Sequence, residues 1–238
     1  MQADVKKFLG LDFNTNRPWL DNTYTLRKLI GLLGILLPLL LPLFLYLYSG
    51  HVPPLESISH YYYTQSQSVF TIIISLMAIF LMIYKGKDPV DFYISFIAGF
   101  FALMVILFPT SNIDAANTSL SNAYIITIPT DNTVRIAFHY ISAAIFLGCL
   151  TYMSFFQFTK SNVPKNERTP QKLTRNTIYK ICGAFMCIGL LVMLLGLLNV
   201  IDETVYTKLR LTFWMETLAV FSFGLSWLVK GEAILGDK

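Results

Sequence analysis

His60, His139 and Glu216 are the residues whose types and placement hold the most chemical potential in this 238-residue chain. Glu216 stands about two turns inside an apolar run, where a carboxylate is costly unless it is paired, neutralised or turned towards water within a bundle. Thr212 precedes it by four residues and Lys208 by eight, so polar groups lead outward along one helix face. His139 lies about one turn into another apolar run, with Arg135 at i−4 and Ser142 at i+3 giving a second ionisable stripe. Arg210 is six residues from Glu216, about 120° away around a helix, so the expected partner of the acid is across the bundle, at His139 or Arg135.

A third cluster is the stretch HVPPLESISHYYYTQSQSVF, His51 to Phe70, which holds two of the three histidines together with Glu56, Ser57, Ser59 and the run Tyr61 to Tyr63. It is too polar for a hydrocarbon core and too aromatic for an ordinary solvated loop, so it fits a segment at a membrane interface. Structural readings of these residues are available. Glu216 can lock helix register through an interhelical pair, His139 can be a packing histidine, and His60 can sit with its tyrosines, Tyr46 and Tyr48 in an aromatic belt. The functional reading joins Glu56, Ser59, His60, Arg135, His139 and Glu216 into a polar ligand pocket in the outer leaflet, with His60, His139 and Glu216 as catalytic candidates.

Several chemistries are disfavoured by spacing. His60, His139 and Glu216 are acceptable metal ligands, yet no HxxxH, HExxH or CxxC pattern places two donors on one turn, so no metal or cofactor is expected. Ser57 or Ser59 beside a histidine would suit cleavage of a lipid ester or amide, but the GxSxG elbow is missing. There is no glycine-rich phosphate loop and no basic helix with base-stacking aromatics, which argues against nucleotide-driven chemistry and nucleic-acid binding. Cys149, Cys182 and Cys187 fall in apolar runs and read as small core residues.

The elements that must position these groups are membrane spans. Hydrophobic residues make up 55% of the chain and charged residues 13%, against about 25% charged in a typical soluble domain. The mean hydropathy is +0.57. Apolar runs predict an all-α, polytopic bundle in one domain covering 1–238, with spans at about 26–48, 68–84, 90–108, 134–158, 177–200 and 208–229. Pro38 and Pro42 predict a kink in the first span. The N-terminal tail lacks the pattern of a signal peptide and is expected to be retained. Thr159 to Asn176 reads as a basic, proline-broken connection, and Thr110 to Asp131 as an outer loop with a short strand or turn at Tyr124 to Ile128 and a glycosylation-like triplet at Asn117. Fifteen of the 18 lysines and arginines fall at one side of this arrangement, leaving Arg135, Lys208 and Arg210 opposite, so both termini are expected in the cytoplasm. The net charge of +4 is what such topology produces.

Short motifs add a resemblance. Ser49-Gly50-His51-Val52 followed by Pro54, Ile58-Ser59 and Ser68-Val69-Phe70, then Phe138-His139 with Ala143, and finally Glu216 resemble the six-span DRAM-like (FRAG/DRAM/Sfk) membrane proteins, which include autophagy modulators and a GPI-anchor lipid-remodelling factor. His60 stands where those proteins have an aspartate. Ser57-Ile58-Ser59 with Tyr61-Tyr62, Phe108-Pro109-Thr110, Arg175-Asn176 with Tyr179, and the run from Phe213 to Glu232 look like a bacterial group of uncharacterised integral membrane proteins. The resemblance implies a bacterial inner membrane and names no activity. Ceramidase-type and adiponectin-receptor-type hydrolases differ, since they need three histidines with an HxxxH pair and more spans. The leading expectation is a membrane lipid or other amphiphile bound in the outer pocket. A membrane-embedded lipid hydrolase or remodelling enzyme and a small transporter are the alternatives, and oligomeric state is left open.

Overall fold

A computed structural model describes residues 22–86, 88–113 and 130–236. Within them the chain is all-α: α1 (Thr23–Ser49), α2 (Gln67–Ile83), α3 (Pro89–Leu107), α4 (Thr133–Tyr152, continued by a π turn Met153–Gln157), α5 (Pro170–Leu197), the short α6 (Glu203–Lys208) and α7 (Leu211–Lys230). The tail before residue 22, the Asn117 triplet and the Tyr124 to Ile128 segment lie outside the described residues.

Local chemistry sets the helix starts. Asn22, Asn132, Thr169 and Asp202 each accept a hydrogen bond from a first-turn N–H of the helix that follows. Asp88 and Asp91 form a reciprocal capping box around Pro89. Thr169-Pro170 corrects one sequence expectation. The stretch through Asn176 reads in the sequence as a proline-broken connection, but a threonine cap followed by proline at the first helical position begins a helix, so α5 starts seven residues before the expected span and buries Arg175 and Asn176. At the far end of α1, Gly50 adopts φ 69° and returns its N–H to the Tyr46 carbonyl, a left-handed cap that turns the chain into the His51 segment.

The long helices form a closed ring in which each packs on its sequence neighbour and α7 closes against both α5 and α1. Small residues permit the closest crossing. A Cβ on Gly31 would come within 2.7 Å of the Gly224 carbonyl, and one on Gly224 within 2.7 Å of the Gly31 carbonyl, so α1 and α7 touch backbone to backbone. Ile30, Leu37, Leu41, Met77, Phe223 and Trp227 fill the interior. Leu39, Leu47, Ile72, Ile79, Phe156 and Leu191 face outward, the reverse of a soluble protein and the pattern of a lipid-contacting surface.

Five helices, α1, α3, α4 with its π turn, α5 and α7, are long and apolar enough to cross a membrane. The protein is an integral membrane helical bundle. The 17 residues of α2 span roughly 25 Å at 1.5 Å per residue, just under a hydrocarbon core of about 30 Å. α2 nevertheless joins the two ends of the ring. Ser66, just before it, donates to the Leu41 carbonyl near the end of α1, and Tyr84, just after it, accepts from Arg27 at the start of α1.

Candidate functional site

Between α1 and α2 the segment 51–66 folds across one end of the ring as a strap, and its alternate residues engage α7 turn by turn. Arg210 Nη1 donates to the Pro54 carbonyl, the Phe213 N–H to the Glu56 carbonyl at 2.9 Å, and the Ile58 N–H to Glu216 Oε2 at 2.6 Å. The contacts thus fall at strap residues 54, 56 and 58 and at 210, 213 and 216, the latter three apart along the start of α7. Arg210 reaches its place from a left-handed backbone, φ 51°, which an L residue holds only when its surroundings secure it. The partner of Glu216 is therefore a backbone N–H on the strap, in place of the His139 or Arg135 side chain expected across the bundle. No ion pair to Glu216 forms among the described residues.

The strap is also pinned to α3 and α4. The chain curls into a 3-10 turn at Ser59–Tyr63. Tyr63 donates to the Thr110 carbonyl at 2.6 Å, and the Tyr61 hydroxyl accepts from the Leu55 N–H at 3.3 Å. Burial raises the Tyr61 phenol to about 12, which keeps it neutral. His139 is buried at 2% exposure, with Nδ1 2.8 Å from the Phe108 carbonyl and Nε2 3.2 Å from Ser59 Oγ. A carbonyl only accepts, so Nδ1 carries the hydrogen; in the neutral ring Nε2 then accepts from the serine hydroxyl. Burial, with His139 nearby, lowers His60 to about 4 against a smaller opposing pull from Asp131, so its ring is uncharged at neutral pH.

Beneath the strap, between α4, α5 and α7, lies a cavity of about 450 Å³. Its polar lining includes Glu56, Ser57, His60, His139, Thr212 and Glu216, with Asn199 and, from α6, Glu203, Tyr206 and Thr207; its apolar walls include Ala143 and Leu147 of α4 and Leu190, Met193, Leu194 and Leu197 of α5. Four of the six sequence candidates thus converge on one space. Ser59 stands behind it, 7% exposed and bonded to His139. Arg135 is set aside from the cavity, paired with Asp131 at 3.1 Å and donating to the Thr110 carbonyl at 3.4 Å.

Sequence reasoning missed the contribution of α5 and α6. Leu190 and Leu194 belong to a uniformly apolar run in which nothing distinguishes a cavity wall from a lipid-facing surface. Tyr206, which lines the cavity and whose hydroxyl accepts from Thr212 at 3.0 Å, lies on α6, between the spans expected at about 177–200 and 208–229. Asp202, placed to cap Val205, was the available signal. Among the described residues no three histidine, cysteine, aspartate or glutamate side chains cluster as metal ligands. Comparison with family models, with curated proteins and with solved structures yields no match.

Proposed function

We propose that the protein binds a lipid or other amphiphile in the cavity beneath the strap, its polar head at Glu216, His60, His139 and Glu56 and its tail along the α4 and α5 leucines. The observation that carries this reading is the division of one cavity into a hydrogen-bonding end and an aliphatic wall, since a molecule satisfying both must itself be amphiphilic. The same reading takes α2 as a sixth crossing, because it links the two ends that α1 and α3 link, and assigns both termini to the cytoplasmic side from the distribution of lysine and arginine. A bacterial inner membrane and a distant DRAM-like relationship belong to it as well. Its support is local: Ile58-Ser59, His139 and Glu216, three of the motifs behind that resemblance, meet in the strap contacts.

One observation favours a hydrolase as the second reading. Ser59 Oγ and His139 Nε2 stand in the arrangement of a nucleophile and its base, with the Phe108 carbonyl orienting the ring. It ranks below binding because Ser59 does not line the cavity and both side chains are buried. Native mass spectrometry of protein extracted in a mild non-ionic detergent tests the primary reading. Wild type is expected to retain about one amphiphile per chain, and Ala143→Trp, which fills the cavity, to lose it. Retention at equal stoichiometry in both would overturn the assignment to this cavity.

A further inference from the structure

At the opposite end of the ring all six long helices converge on a second and larger cavity, of about 660 Å³. Arg27 enters from the first turn of α1, Arg175 and Lys172 from the first turns of α5, Lys230 from the end of α7, and Lys160 and Arg168 from the loop joining α4 to α5. Three carboxylates share the wall, Asp88, Asp91 and Glu232. Among the described residues, six cations face three acids across this concave space, a predominance of positive charge where low-dielectric walls concentrate the field.

The acids are committed within the wall. Lys160 Nζ bridges Asp88 at 2.8 Å and Asp91 at 2.9 Å, and Arg175 lies 3.6 Å from Glu232. Main-chain carbonyls and a tyrosine hydroxyl help to position other cations of the wall. The π turn at the end of α4 presents the Phe158 carbonyl to Lys172 and Lys230, each at 3.3 Å. Arg27 donates to the Lys230 carbonyl at 3.5 Å and the Tyr84 hydroxyl at 3.4 Å, with its guanidinium over the Tyr24 and Tyr84 rings. Its Nε is buried and has no hydrogen-bond partner among the described residues. A buried donor on a guanidinium costs stability unless a ligand meets it. Below, Tyr84 and Phe158 stack edge-on against the buried Trp227 at 4.9 and 5.1 Å, closing the floor of this vestibule.

We propose that this vestibule binds a phosphate-bearing anion, with Arg27, Lys172 and Lys230 as the principal contacts. A phosphate presents several acceptor oxygens in directions that a guanidinium fork and converging ammonium groups can meet together, and its charge answers the surplus. The volume accommodates the phosphate and a substituent, within the range of about 300–1,000 Å³ usual for small-molecule sites. A water-soluble phosphate compound and a phospholipid headgroup share this chemistry.

The test uses the full chain in non-ionic detergent at fixed ionic strength. Thermal unfolding is followed with inorganic phosphate, and separately in mixed micelles containing phosphatidic acid or, as a control, phosphatidylcholine. A rise of roughly 5 °C or more at saturation is expected for at least one phosphate probe over its control. A response to inorganic phosphate assigns a soluble source, and a response to phosphatidic acid alone assigns a headgroup. Arg27→Gln and, separately, Lys172→Gln should each weaken the response at least tenfold in midpoint concentration. The second variant keeps the test decisive if the first misfolds, because Lys172, in the first turn of α5, is only partly buried. Absence of a rise with both probes, or an undiminished response in the folded variants, overturns the proposal.

Discussion

Replacing Glu216 by leucine and by glutamine separates two things its side chain offers: an acceptor oxygen for the Ile58 N–H, and a carboxyl group as such. The Ile58 N–H it receives belongs to a residue only 4% exposed, so water cannot take over when the acceptor is removed. Glu216→Leu therefore strands a buried donor, at a cost of about 2 kcal/mol. At about 2–4 °C per kcal/mol for a chain of this size, the unfolding midpoint falls by roughly 4–8 °C. Glu216→Gln keeps an acceptor oxygen within reach. It gives up the carboxyl for an amide but keeps the bond to the strap, so the midpoint stays within about 3 °C of wild type. The assay is thermal unfolding in detergent followed by size-exclusion chromatography, with limited proteolysis of residues 51–66 as a local readout. Leucine should open the strap to cleavage and glutamine should not. A glutamine variant as unstable as the leucine one would show that the carboxyl itself, and not merely an acceptor oxygen, holds the strap, and an undisturbed leucine variant would show that this bond holds nothing.

Two further outcomes follow from named residues. His60 takes up its proton only near pH 4 in the folded protein against about 6.5 when unfolded, so between those values the unfolded chain binds more protons and stability falls as pH drops. The loss should approach on the order of 3 kcal/mol by pH 4, and His60→Gln should flatten that part of a stability–pH profile; an unchanged slope would exclude His60 as its source. Reporters inserted at Asn162, in the loop before α5, and fused after Lys238 should read cytoplasmic while one at Ser121 reads the outer side, and a cytoplasmic signal at Ser121 would remove the sixth crossing.

Apolar length made the helices legible, and most boundaries fall within three residues of those read from the sequence. The exception, the start of α5, came from treating Pro170 as a breaker although Thr169 before it makes it a first-turn residue. The strap was legible as a polar aromatic segment, and His60, His139 and Glu216 do approach one another around it. The partner of Glu216 was not, because side-chain pairing rules consider only side chains, and here a main-chain N–H of Ile58 does the work. The basic vestibule was hidden for a different reason. Arg27, Lys172, Arg175 and Lys230 were each accounted for by membrane topology, and a charge bias along a sequence does not reveal that three helix ends point those charges into one space.

The central claim, that an amphiphile occupies the cavity beneath the strap, is tested most directly by a cryo-EM map of the protein reconstituted in lipid nanodiscs. The account predicts elongated non-protein density between α4 and α5, its head within about 3.5 Å of Glu216 or His60 and its tail along Leu190 and Leu194. A cavity at the same resolution that holds only water, with ordered lipid confined to the outside of the ring, would contradict it.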